Sequence, residues 1–570
     1  MKQRLTAFLT GVREDLPRFG SAGSRSAQLH ADSDDATRGS LSDALYDLLL
    51  DDPEVRPRTS INQLRAFFVL RWMGTLGAIL IAVGGLGAGA LPVVGNPYDN
   101  VPFGSLMSRM LQSASALVFL GVGLMVTAWV LIAPFVGTPL RGARGTKPRR
   151  LLTQSQLWRT WAGWVIPLIF TAPLFTQDIY SYLANGSIVA QGLDPYSAGP
   201  VQLLGSEDPL ARSVPFIWAN SPSPYGPVAL GLAAIVSLLT HNSIILGVIA
   251  HRILSLAGII AAGWATSQLA RRCRVSPESA LWLGILNPLT TLHLVGGIHN
   301  ESVMLGLALV GLELGLRGVD KLGGRPVWFY FLASGLLISC AGMVKVTGFI
   351  GLGFVGMALA RVLMLRRGKS SLGAIASATA VQLGILILSI GIVTLASGIG
   401  LGWITGQGGA ASIRSWLSSS TAVGVGAGFL GMLLGLGDHT EAILSFTRAV
   451  GVLIATGFMF RMLLATYRGS IHPIGGLGIS TLVLVVFFPV VHPWYILWAV
   501  LPLAAWANRL IFRLTVVIYS AGMSFFVLPR GLGLPPGTIA VIYISAIAAY
   551  VVVMRLWTLL LRRSRISVLN

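Results

Sequence analysis

Charged side chains are scarce in this chain. Asp, Glu, Lys and Arg make up 11% of its 570 residues, against about 25% in water-soluble domains, which excludes a soluble globular protein. Cysteine is scarcer still. Cys273 and Cys340 are too few for a disulfide framework, have no neighbours at metal-ligand spacing, and read as packing residues. The sequence has no P-loop, no dinucleotide fingerprint after a strand and no Cys/His cluster. ATP-driven transport and cytosolic nucleotide-sugar chemistry therefore drop out, and we expect neither metal nor cofactor. The apolar run Ala7-Phe8-Leu9 near the start is too short for the h-region of a signal peptide.

What is present is hydrophobic sequence: 54% apolar residues and a mean hydropathy of +0.74. Runs of about twenty apolar residues are the length that crosses a bilayer. They predict an all-α polytopic membrane protein with about fourteen transmembrane helices, at 72–94, 111–136, 157–176, 242–269, 279–296, 301–316, 327–344, 346–363, 373–397, 442–463, 474–490, 494–508, 512–528 and 537–556. The 68 glycines are scattered without a repeat, as close helix packing in lipid requires. Residues 1–65 are polar and mixed in charge, a cytoplasmic and partly disordered tail ahead of a membrane domain over 66–570.

Two further apolar runs, 226–240 and 421–436, are read as re-entrant or interfacial helices. If either crossed the membrane, the basic cluster at Arg271, Arg272 and Arg274, or the pair Arg461 and Arg468, would fall outside, against the positive-inside rule. With both termini inside, the net charge of +20 reports orientation and attraction to the anionic cytoplasmic leaflet, so nucleic acid is not a partner. All but seven of the 41 basic residues then lie inside. The exceptions are Arg109, Arg212, Arg252, Lys345, Arg414, Arg448 and Arg530. The loops 177–241 and 398–440 are rich in aromatics and turn formers, and they form a roof over one outward cavity.

Several polar residues punctuate this pattern. Asp178, directly after a span, reads either as a helix N-cap or as a general base held at the membrane boundary. Tyr180 follows it in the same loop. Asp194, before Pro195, reads as a turn former or as a sugar contact. Tyr225 ends a proline-rich segment. His299, Asn300 and Glu301 follow a glycine turn and open a span; they read either as a turn with Glu301 stabilised at a helix N-terminus or as a polar site for hydroxyls, since ionisable groups at this depth are expensive. His492 precedes Trp494 and Tyr495 at another junction and can donate to a phosphate or relay a proton. Trp498 reads as aromatic belt. Arg252 and Lys345 interrupt apolar sequence and read as anion ligands, with Arg448 as a further candidate beside a snorkelling alternative.

The motifs Asp178-Ile179-Tyr180-Ser181-Tyr182, Gly192-Leu193-Asp194-Pro195-Tyr196, Ser223-Pro224-Tyr225-Gly226-Pro227, Gly297-Ile298-His299-Asn300-Glu301 and His492-Pro493-Trp494-Tyr495 occur in an order that resembles the GT-C superfamily of membrane glycosyltransferases. More specifically the chain resembles the polyprenol-phosphomannose-dependent α-1,6-mannosyltransferases that build the mannan backbone of lipomannan and lipoarabinomannan in mycobacteria and corynebacteria, and their B type more than their A type. The likeness covers about residues 70–556. It departs where relatives often have Gly-His-Asn and Gln-Pro-Trp-Tyr. The resemblance implies a GT-C bundle in the plasma membrane with its active site on the outer face. It also implies a polyprenyl-phosphate-mannose donor and a lipid-linked mannan acceptor. Asp178 would be the base, Arg252, Lys345 and Arg448 would face the donor phosphate, and Tyr180, Asp194, Tyr225, His299, Asn300, Glu301, Trp494 and Tyr495 would face the sugars. His492 would assist the chemistry. The rival readings are a flippase or transporter for a lipid-linked sugar, and a GT-C enzyme of another specificity, arabinosyl or protein-mannosyl.

Overall fold

The structure is a computed structural model that describes residues 60–138, 151–323, 327–406 and 413–563. The predicted tail lies outside these residues except for its last few. Helices carry the architecture. Among the described residues, eight are long and apolar enough to cross a membrane: α1 (Ile61–Ala88), α2 (Leu111–Ile132, extended by a 3-10 turn), α6 (Ile244–Arg272), α8 (Glu301–Asp320), α10 (Ile350–Arg367), α11 (Ser371–Ser397), α13 (Thr440–Arg468) and α17 (Pro536–Arg563). Between them lie α3 (Gln154–Val165), α4 (Asp178–Ala190), α5 (Pro227–Thr240), α7 (Pro277–Gly284), α9 (Val327–Gly342), α12 (Ser419–Leu433), α14 (Pro473–Phe487), α15 (Leu497–Trp506) and α16 (Leu510–Met523). The chain is thus an all-α, multi-pass membrane protein, and the shorter helices replace a uniform set of fourteen full spans.

Local sequence explains the element ends. Ser60 and Thr153 form capping boxes with Gln63 and Gln156 at the starts of α1 and α3, satisfying amide donors that a helix start leaves free. Glycine permits the closest contacts. A Cβ on Gly77 would meet the carbonyl oxygen of Gly121 at 2.6 Å, and one on Gly121 would meet that of Gly77 at 2.4 Å, so α1 and α2 touch backbone to backbone. Gly258 of α6 and Gly306 of α8 make the same kind of approach. Leu395 and Ile387 on α11 and Leu560 and Ile544 on α17 are exposed, as lipid-facing side chains are.

Two predicted spans are broken, and both breaks adjoin the site. In place of a helix over 157–176, α3 stops at Val165, a 3-10 turn follows at Pro167–Phe170, and the chain to Gln177 is irregular. In place of 279–296, α7 ends at Gly284 and a π-helical turn occupies Thr290–Gly296. Proline supplies part of the cause, since Pro167, Pro173 and Pro288 lack the amide hydrogen a helix needs. Irregular backbone at membrane depth persists only where protein satisfies it, and here Arg252 does so. The run 226–240 forms the 14-residue α5, packed along α4, and 421–436 falls on the 15-residue α12. Both are shorter than the eight long helices.

Candidate active site

A cavity of about 260 Å³ opens between α4, the segment 218–226, the start of α8, the break after α9 and the stretch 488–495. Asp178 starts α4 and lines it. Its carboxylate accepts a hydrogen bond from Trp218 Nε1 at 3.2 Å and stands 3.9 Å from His299 Nδ1. The side chain is 28% exposed, and removal of water by the surrounding protein pushes its pKa above the ordinary value, while hydrogen bonds from Thr176 and Trp218 hold it back. The result is a more basic carboxylate that is still reachable from the cavity.

Backbone strain places these two groups. Phe175, three residues before Asp178, has φ +67°, and Ile298, just before His299, has φ +59°. Such values are costly for a bulky or β-branched residue and mark a conformation imposed by the surrounding fold. The two segments are also tied directly, Leu174 N donating to Gly296 O at 3.1 Å.

The opposite wall is aromatic. His299 stacks on Trp494 with ring centres 4.0 Å apart, and His492 stacks on the same tryptophan at 4.6 Å. Burial lowers His299 to a pKa of about 3 and His492 to about 4, so both imidazoles are neutral near pH 7. Lys345 lies where α9 gives way to a 3-10 turn. Its ammonium contacts Glu301 at 2.6 Å and Tyr495 Oη at 3.0 Å, and sits 4.2 Å and 5.0 Å from the ring centres of Tyr495 and Trp498.

Asp178, Tyr225, His299, Glu301, Lys345, His492, Trp494 and Tyr495 are thus brought together around one cavity. Arg252 is not. It is fully buried on α6 and donates to five carbonyls, those of Ile169, Thr171, Ala172, Val295 and Gly296. These are the carbonyls the two broken helices leave over, and they, instead of an anion, are what this cation binds. Tyr180 is also turned away, its hydroxyl donating to Ala90 O at 2.8 Å. Asp194 caps its own exposed turn through Tyr196 N. Asn300 lines a separate, much smaller pocket beside His251. Arg448 bonds Thr421 and the carbonyl of Ile413, and only Ile413 reaches the cavity.

Residues missed from sequence are Trp218, Ser181, Tyr182, Asn185 and Phe488, which line the cavity, and His293, which packs behind Trp494 at 4.9 Å. The four-residue rhythm of Asp178, Ser181, Tyr182 and Asn185 was a signal available in the sequence. Trp498 is not belt: it is buried and stacks on Tyr495 at 4.3 Å.

Comparison with known proteins fits this arrangement. Residues 71–361 match the family model described as α-(1→6)-mannopyranosyltransferase, N-terminal domain, and 420–555 match the MptB C-terminal domain. The α-(1→6)-mannopyranosyltransferase B of Corynebacterium glutamicum is 56% identical, across 97% of this chain and 92% of its own. The chain belongs to the α-(1→6)-mannopyranosyltransferase family. Another relative of this mannosyltransferase, from Mycobacterium tuberculosis, is 38% identical across 86% of this chain and 87% of its own. The A enzyme of C. glutamicum is 29% identical across 73% and 84%. Mannosyl transfer with α-(1→6) linkage is the activity class that this membership gives the mannosyltransferase, on a helical, multi-pass membrane scaffold. A solved oligosaccharyltransferase of Archaeoglobus fulgidus shares 12% identity at a TM-score of 0.33, over 74% of this chain and 52% of that one.

Proposed function

We propose that the chain transfers mannose from a polyprenyl phosphate to the 6-hydroxyl of a lipid-linked mannan, with inversion, at the outer face of the plasma membrane, in lipomannan and lipoarabinomannan synthesis. The observation that carries the reading is Asp178: a desolvated carboxylate at the edge of a sugar-sized cavity, held by Trp218 and faced by a neutral His299. It takes the proton of the acceptor hydroxyl as that oxygen attacks C1 of a β-linked donor. The new C1–O bond forms as the bond from C1 to the phosphate oxygen breaks, and the polyprenyl phosphate leaves with the bonding pair. One carboxylate suffices, because a phosphate leaving group needs no acid, in contrast to the paired carboxylates of glycoside hydrolysis.

Lys345 supports the donor side. Glu301 and Tyr495 take two of its three N–H groups, which leaves one for a phosphate oxygen. Since Glu301 offsets its charge, the pair receives the departing anion through a hydrogen bond more than through net charge. His492, neutral, offers a second donor. Arg448 supports the acceptor side by holding Ile413 at the rim.

The test is transfer by the purified protein from polyprenyl-phosphomannose to an α-mannoside acceptor, with the product linkage determined. Asp178→Asn should lower kcat at least about 1,000-fold while the protein stays folded in detergent. Full turnover by that variant, or a product other than an α-(1→6) mannoside, defeats the reading.

A further inference from the structure

Several hydroxyls in the apolar helices of this protein settle against the carbonyl one turn back, whereas others such as Ser334, Ser339 and Ser480 are buried without a partner but line no part of the cavity. Ser115 bonds Leu111 O at 2.7 Å, Thr127 bonds Gly123 O at 2.7 Å and Ser267 bonds Gly263 O at 2.9 Å. Ser181, in the first turns of α4, does not: its Oγ is buried with no protein partner. Asn185, one turn on, donates its Nδ2 to Ser181 O at 2.8 Å, and its Oδ1 has no partner either. That bond fixes the amide, because reversing it would set two oxygens together. Ser181 is 5% and Asn185 4% exposed, and both line the cavity on the helix face that carries Asp178. A buried oxygen without a partner costs stability, yet this helix keeps two side by side.

The chemistry of the pair selects its ligand. Asn185 Oδ1 accepts only, so the phosphodiester of a prenyl-phosphomannose, which carries no proton to donate, is unsuitable; a hydroxyl serves Oδ1 and can either donate to or accept from Ser181 Oγ. Along the helix axis, Ser181 lies about 4.5 Å and Asn185 about 10 Å beyond Asp178 at 1.5 Å per residue. The row is longer than one pyranose ring. Because Asp178 must touch the reacting acceptor hydroxyl, a row that starts at Asp178 reaches past the sugar that carries that hydroxyl.

We propose that Ser181 and Asn185 form a subsite for the hydroxyls of the acceptor's second sugar, the residue next to the one that receives mannose. The subsite makes the protein prefer an acceptor of at least two sugars. The inference rests on the mannosyltransferase reading of the cavity.

Ser181→Ala and Asn185→Leu are assayed with a short-chain prenyl-phosphomannose donor and two acceptors, an alkyl α-mannoside and its α-(1→6)-linked dimannoside. The wild type should favour the dimannoside. Each variant should raise the dimannoside KM roughly three- to tenfold, as loss of one or two hydrogen bonds implies, and leave the monosaccharide KM and donor KM unchanged. Asn185→Leu also loses its bond to the Ser181 carbonyl and can cost stability. Ser181→Ala has no protein bond to lose, so its melting temperature should equal or exceed that of the wild type. If the wild type uses the two acceptors equally, if the KM ratio is unchanged in both variants, or if the donor KM rises instead, the subsite is wrong while the mannosyltransferase reading stands. A wild type that transfers mannose to neither acceptor overturns both.

Discussion

At the residue scale the proposed chemistry turns on the protonation of Asp178, assigned there as the base. Its carboxylate acts as a base only when ionised, and desolvation sets its pKa above the usual aspartate value. As pH falls through that raised pKa, kcat/KM should fall with it, so the acid limb lies above that of a free aspartate. Trp218 donates to the ionised form and lowers the pKa. Trp218→Phe should therefore move the acid limb to higher pH, read from a pH profile of kcat/KM; a shift to lower pH contradicts the assigned contact. Lys345 and Glu301 form a second unit, with Glu301 4% and Lys345 23% exposed in the pair. Removing one partner leaves a charge poorly compensated, so Glu301→Gln should destabilise by about 3–5 kcal/mol. The double variant Glu301→Gln with Lys345→Met should be destabilised by less. Equal losses in denaturation in detergent would show that the two charges are not coupled.

At the element scale the site hangs from two broken helices, and Arg252 on α6 ties both breaks together. It joins Ile169, Thr171 and Ala172, ahead of Asp178, to Val295 and Gly296, ahead of His299. Arg252→Met would take a donor from each of these carbonyls, leaving Gly296 O only its bond from Leu174 N, and let the strained turns at Phe175 and Ile298 relax. A displacement of even about 1 Å can cost about 100-fold in rate, so kcat should fall by that order while donor KM changes little. Arg252→Lys, keeping the charge but not the five-donor fork, should recover only part. A variant that raised donor KM with kcat intact would instead return Arg252 to the role of phosphate ligand.

At the scale of the whole molecule, the eight long helices and the excess of basic residues predict a fixed orientation, with α4, α5 and the cavity facing outward. In a protein freed of Cys273 and Cys340, a membrane-impermeant maleimide applied to intact spheroplasts should label Ser206→Cys and leave Lys369→Cys unlabelled; both native side chains are exposed. The reverse pattern would turn the protein over and put its cavity on the cytoplasmic side.

The sequence by itself determined what depends on composition and local chemistry. Low charge and long apolar runs dictated a helical membrane protein, because lipid leaves no other partner for backbone polar groups. The ordered motifs around Asp178, His299 and His492 marked three walls of one site. Only the tertiary structure decided which polar residues face it. Arg252 and Lys345 look alike in sequence, each a cation interrupting apolar sequence, yet one meets five carbonyls left by two broken helices and the other meets Glu301. Trp218, forty residues from Asp178, became its hydrogen-bond donor through a loop path that no local pattern encodes. A buried polar group is satisfied by whatever the fold brings within hydrogen-bond reach, and that is set by packing between distant segments.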